Sequence, residues 1–129
     1  MIVYKVLYQK SKKLYSINAC INKCPAVVRY IKNHWTYPKF EGSKLFAFST
    51  HSDATEFARL FDGVVYEAIA INPTRRIVGL KHIIYTGAQT NEWFYKRFWK
   101  NLQSPFGTSL YDIPINTVFC DGMMIRRKV

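Results

Sequence analysis

The chain has 129 residues, with 19 Lys and Arg against 8 Asp and Glu for a formal net charge of +11, and it is 49% hydrophobic and 16% aromatic. That length suits a single domain, and so many apolar and ring residues exclude a disordered basic tail. No stretch approaches the roughly 18 consecutive apolar residues of a membrane span, and the start places lysines around a short strand-like run instead of a signal-peptide core. Three cysteines without an export signal argue against a disulfide framework, so free buried thiols and a cytoplasmic location are expected, with no membrane partner.

In chain order, Ile2 to Tyr8 is β-branched and aromatic with one lysine in its middle, and Leu14 to Ala19 follows a lysine-rich connection. The two predict an N-terminal hairpin. Val27 to Ile31 is a third short strand, Tyr37-Pro38 and Glu41-Gly42 bracket a turn, and Lys44 to Ser49 predicts a buried strand. Ala54, Phe57, Ala58 and Phe61 recur at helical spacing, with Ser52 placed to cap the helix, Asp53 and Glu56 in its first turn, and Gly63 ending it. Val64 to Ile71 predicts a strand stopped by Asn72-Pro73. Arg76 to Val78 and His82 to Tyr85 fit short strands or irregular segments, and Asn91 to Asn101 a second helix. Thr117 to Cys120 and Met123 to Arg127, joined by Asp121-Gly122, predict a hairpin with a type I′ turn. The expected class is therefore α+β: a mostly antiparallel sheet with about two helices packed against it, in one domain.

Charge on so small a body attracts polyanions. It is spread almost evenly between the two halves of the sequence, so any basic patch must be assembled by folding. Glycine-rich phosphate loops are absent, and nucleotide handling would fall to side chains. Arg29-Tyr30, His34-Trp35, Arg75-Arg76, Lys96 and Arg97 among the rings from Trp93 to Trp99, and Arg126-Arg127-Lys128 place cations beside rings. Cations neutralise phosphates and aromatic faces stack on bases, so Arg29, His34, Trp35, Arg75, Arg76, Lys96, Arg97, Arg126 and Arg127 form the expected ligand-binding set. Packing in the core is the competing use of the same rings.

Catalytic and metal signatures are incomplete. Cys20 and Cys24 have the spacing of one half of a zinc site that His34 and Cys120 could complete, but the second close pair is missing, so neither a metal nor another cofactor is expected. His34-Trp35-Thr36 matches one H-x-T unit of two-histidine phosphodiester-cleaving enzymes, which use the unit twice.

Two resemblances add to this. Phe48-Ser49-Thr50, followed by a helix and a strand carrying Glu67, resembles ADP-ribosyltransferase folds of the Arg, Ser-Thr-Ser, Glu type, with His51 at the second serine and no Glu-x-Glu pair. That likeness implies an enzyme acting through Ser49, His51 and Glu67. Tyr4-Lys5-Val6, Leu14-Tyr15-Ser16, Tyr30, His34-Trp35, Leu45-Phe46-Ala47-Phe48, Val65-Tyr66-Glu67-Ala68 and Asn116 to Asp121 are similar to small proteins of bacteriophage and other viral genomes. The second likeness spans nearly the whole chain and implies a one-domain accessory protein of the host-cell cytoplasm that acts by binding, including counter-defence. Three functions stay open: a non-enzymatic binder of nucleic acid or a nucleotide, an ADP-ribosyltransferase-like or phosphodiesterase enzyme, and an inhibitor docking on an acidic host protein.

Overall fold

A computed structural model describes residues 1–17, 27–39, 42–75, 82–84, 110–112 and 116–129. β1 (Ile2–Lys10) and β2 (Lys13–Ser16) form the expected hairpin, with Tyr8 opposite Tyr15 and Lys10 opposite Lys13. Its two turn residues, Ser11 and Lys12, take φ of 50° and 66°, the left-handed pair of a type I′ turn made here without glycine. β2 ends at Ser16, where its amide donates to the Val28 carbonyl at 3.0 Å, and Ala19, the expected end, lies outside the described residues. β3 (Arg29–Tyr30) and β4 (Trp35–Thr36) are two-residue strands, the first shorter than the expected Val27 to Ile31. β5 (Leu45–Phe48), α1 (His51–Phe61) and β6 (Val64–Ile71) reproduce the expected strand, helix and strand. β7 (His82–Ile84) and β8 (Leu110–Asp112) make a separate antiparallel pair, and β9 (Thr117–Cys120) and β10 (Gly122–Lys128) end the chain.

The main sheet has eight strands in the order β3-β2-β1-β6-β10-β4, with β5 joined to β1 and β9 joined to β5, and every pairing is antiparallel. β3 and β4 lie at opposite ends of that order, yet only residues 31–34 separate them in sequence. So short a linker reaches roughly 3.5 Å per residue. The sheet must therefore curl until its ends approach, and it does so without closing. Inside the curl, Val3, Leu7, Tyr30, Val118, Met123 and Ile125 form a fully buried core. On the outer face α1 lays Ala54 and Ala58 over Val6, Phe48 and Val65. Strand alternation produces this division: odd residues of β1 face the curl and even ones face α1.

The terminal hairpin is a correction. β9 pairs with β5, and β10 pairs with β6 and β4, so the two consecutive strands do not pair with each other. Neither Asp121 nor Gly122 takes a positive φ, so Asp121-Gly122 is not a type I′ turn. Its Asp121 amide donates to the Ile71 carbonyl at 2.9 Å, and the chain passes from one partner strand to another at this point.

The ends of α1 also differ from expectation. Thr50, not Ser52, is the N-cap: its backbone is extended and its hydroxyl oxygen accepts from the Asp53 amide at 3.3 Å. At the other end Asp62, not Gly63, takes the left-handed conformation, with φ 53°. Gly63 is needed for space, since an added Cβ would lie 2.8 Å from Val6 Cγ1 and 3.1 Å from the Leu7 carbonyl oxygen. One helix is present among the described residues, and none there is long and apolar enough to cross a membrane. The second expected helix, Asn91 to Asn101, and the segment Arg76 to Val78 lie outside the described residues.

These two neighbours should respond oppositely to substitution. Asp62→Gly relieves a left-handed side chain and should stabilise by up to about 1 kcal/mol, whereas Gly63→Ala overpacks β1 and should destabilise by about 1–3 kcal/mol. Urea unfolding of both variants checks this, and a Gly63→Ala midpoint at or above wild type would contradict the packing argument.

Candidate functional site

The outer face of the sheet is only partly covered by α1. Beyond the helix, register places Ile2 opposite Ile69, Ile69 opposite Met124 and Met124 opposite Trp35, one apolar row crossing four strands. Directly opposed residues in an antiparallel pair share a face. Ile2 is 56% exposed and Trp35 43%, so this row is open to solvent. Thr36 is buried on the inner side, and Tyr37 returns to the outer face, where its ring lies against Gly122 beside Ile71 and is 58% exposed. A Cβ on Gly122 would stand 3.0 Å from that ring.

Cations gather at one end of this face. The Asn33 amide donates to the Ile125 carbonyl at 2.8 Å, which seats the turn carrying Lys32 and His34 beside Arg126. The pairing of β10 with β6 shifts register between Ile125 and Arg127, so Arg126 is the extra residue of a bulge, and it is exposed. Arg29, exposed on β3, enters the same turn from the other side. Among the described residues, Arg29, Lys32 and Arg126 form no ion pair with a carboxylate. Arg75 sits apart: it follows Thr74, which bridges to Phe119 near the start of β10, while Arg126 lies near that strand's end. Arg127 is exposed, but its Nε donates to Glu67 Oε2 at 2.6 Å. The structure thus brings His34, Trp35 and Arg126 together, places Arg29 on the strand that enters their turn, leaves Arg75 separate and ties Arg127 to a carboxylate. Arg76, Lys96 and Arg97 lie outside the described residues, as do Cys20 and Cys24.

The three enzyme candidates occupy one neighbourhood. Tyr4 is opposite Phe48 on one side and Glu67 on the other, and its ring meets the exposed His51 ring edge-on at 5.5 Å. Glu67 is committed to Arg127, and Thr55 donates to the His51 carbonyl at 2.8 Å. The Ser49 hydroxyl is buried without a hydrogen-bond partner among the described residues, and the Ser49 amide donates to the Asn116 carbonyl at 2.8 Å. Asp53 accepts from the Thr50 hydroxyl and from Asn116 Nδ2, and those two hydrogen bonds hold its carboxyl below the usual range. This set fixes the start of α1 against the turn before β9. It gives Glu67 a cation partner, not a free carboxylate. No cluster of metal-ligating side chains occurs among the described residues.

One polar group was missed by the sequence reading. Lys5 lies on the inner face of β1 between Val3 and Leu7, only 7% exposed. Beyond Tyr4 and Phe48, the one register pair of β1 and β5, the Lys5 ammonium donates to the Phe46 carbonyl at 2.6 Å and lies 5.4 Å from the centre of the Tyr30 ring. Burial lowers its pKa to about 8, opposed by the Cys120 thiol. Burial likewise raises the Cys120 thiol, so it is a protonated core thiol that donates to the Leu45 carbonyl. The Tyr30 hydroxyl meets no partner in hydrogen-bond geometry among the described residues. Burial pushes its pKa up, Cys120 adds to that, and the Ser16 hydroxyl pulls weakly the other way. The available signal was parity: position 5 shares its face with positions 3 and 7.

Searches of protein-family models, of curated proteins and of solved structures return no match to this chain. The chemistry is therefore read from the residues alone.

The buried amine has a testable sign. Its folded pKa, about 8, lies below the 10.5 of the unfolded chain, so the cost of burying the cation is largest below pH 8 and fades as pH rises toward 10.5. Lys5→Met, of similar volume, should stabilise by about 1–3 kcal/mol at pH 7, with an advantage that shrinks above pH 8. Denaturant midpoints of both proteins from pH 6 to about 10 check it. A variant weaker than wild type at pH 7, by a constant margin, would contradict it.

Proposed function

We propose that this chain is a non-enzymatic, phage-type accessory protein that binds a phosphate-bearing ligand, a nucleic acid or a nucleotide, through the outer face around Trp35, Tyr37 and Arg126. One observation carries the reading: exposed rings on a sheet face adjoin Arg29, Lys32 and Arg126, none of which is matched by a described carboxylate. Unneutralised cations beside solvent-facing rings serve phosphate and base together. The net charge of +11 supports the same partner class. Sequestering such a ligand from host defence is a role this surface suits. The pairing of Glu67 with Arg127 speaks against Glu67 as a free catalytic carboxylate, which weakens the enzyme alternative.

Binding to nucleic acid should weaken steeply with salt, and Arg29→Ala with Arg126→Ala should flatten the log-log slope by about 1–2. Fluorescence anisotropy with labelled oligonucleotides at several salt concentrations measures this. Salt-independent binding, or a slope unchanged by the double substitution, would count against the reading. If the ligand is a small nucleotide instead, a thermal-shift screen with mono-, di- and cyclic nucleotides should raise the melting temperature by mass action.

A further inference from the structure

We infer that the partner is single-stranded nucleic acid, with unpaired bases stacking on Trp35 and Tyr37 and the backbone running along β4 toward Lys32 and Arg126. The inference rests on the phosphate-binding reading above and narrows it to one class of ligand.

The geometry of β4 is the first ground. Thr36 is buried in the core, which fixes the rotation of the strand and forces its two flanking rings onto the outer face. Residues two apart on a strand stand about 7 Å from each other, so the rings offer two separate platforms. No contact with another described ring occupies either of them. β4 is also the last strand of the sheet order, and among the described residues it pairs with β10 alone.

The surroundings are the second ground. Next to the rings the face continues through Met124 and Ile69, an apolar floor for sugars and bases. Glu67, in the neighbouring row, is neutralised by Arg127 at 2.6 Å, so no unpaired described carboxylate on these rows repels a phosphate. A duplex keeps its bases stacked inside and presents its backbone and groove edges, for which two exposed rings have little use. Unpaired bases present the π-faces that such rings bind, whatever their sequence.

The test uses the full chain with four probes: a single-stranded oligonucleotide of about 16 nucleotides as DNA and as RNA, the same DNA sequence as a duplex, and poly-glutamate. Either single strand should bind at least tenfold tighter than the duplex and poly-glutamate. Tyr37→Ala and the double variant with Trp35→Ala should lose roughly tenfold per ring on the single strand and little on the duplex. Because Trp35 is in register with Met124 and its loss can disturb the pairing of β4 with β10, a readout on the unmodified protein stands beside it. Ultraviolet crosslinking to a bromouracil-substituted strand should label the tryptic peptide spanning residues 33–39. Equal affinity for strand and duplex with no labelling of that peptide overturns the inference while leaving phosphate binding intact. Poly-glutamate binding as tightly as the strand overturns it in favour of an acidic protein partner. No binding to any probe at low salt defeats the phosphate-binding reading itself.

Discussion

The fold depends on β1 serving three partners and two faces at once. One edge pairs with β6 from Ile2 to Leu7, while the other is divided, with β2 along residues 7 to 10 and β5 at Tyr4 alone. An edge shared between diverging strands cannot stay flat. The sheet curls, its terminal strands β3 and β4 come within the reach of residues 31–34, and the inner residues of both, Tyr30 and Thr36, are buried. Wherever β3 and β4 bury one side chain, they must turn the next one out. Arg29 and Trp35 are outside because Tyr30 and Thr36 are inside.

The same divergence accounts for Lys5. Where β1 and β5 part after their single register pair, a long amine spans the gap and meets the Phe46 carbonyl, at the expense of carrying a cation into the core. Desolvation disfavours that charge, and the ring face of Tyr30 only partly offsets it. Lys5 thus spans the splayed strands at a net cost that is largest below pH 8. On the opposite face α1 stops short, and the row from Ile2 to Trp35 is left open.

Much of the fold was legible in the sequence, for local reasons. The helical spacing from Ala54 to Phe61 and the apolar run from Val64 to Ile71 are patterns that neighbouring residues enforce, and both elements appear where that periodicity puts them. The N-terminal hairpin was legible too, although its turn uses Ser11 and Lys12, residues that carry no glycine or asparagine signal. What failed was pairing. Asp121-Gly122 has hairpin chemistry, but Ile71 and the edge of β6 compete for the backbone after Asp121, and long-range pairing prevails over the local turn. The candidate site was legible in part: His34-Trp35 and Arg126 were marked by composition, whereas Tyr37 read as part of a turn, because a two-residue strand at a sheet end has no periodicity of its own.

Charge of +11 without phosphate loops or complete catalytic motifs thus becomes a placed surface: two exposed rings held by a buried threonine, an apolar floor beside them, and cations at one end. The most direct measurement is a heteronuclear NMR titration of the labelled protein with a short single-stranded oligonucleotide. The account predicts that the Trp35 indole N–H and the amides of residues 33–37 and 124–126 shift together with one saturation curve, while the inner residues Val3, Leu7 and Val118 stay in place. Shifts confined to other parts of the chain, with the Trp35 indole unmoved at saturation, would contradict it.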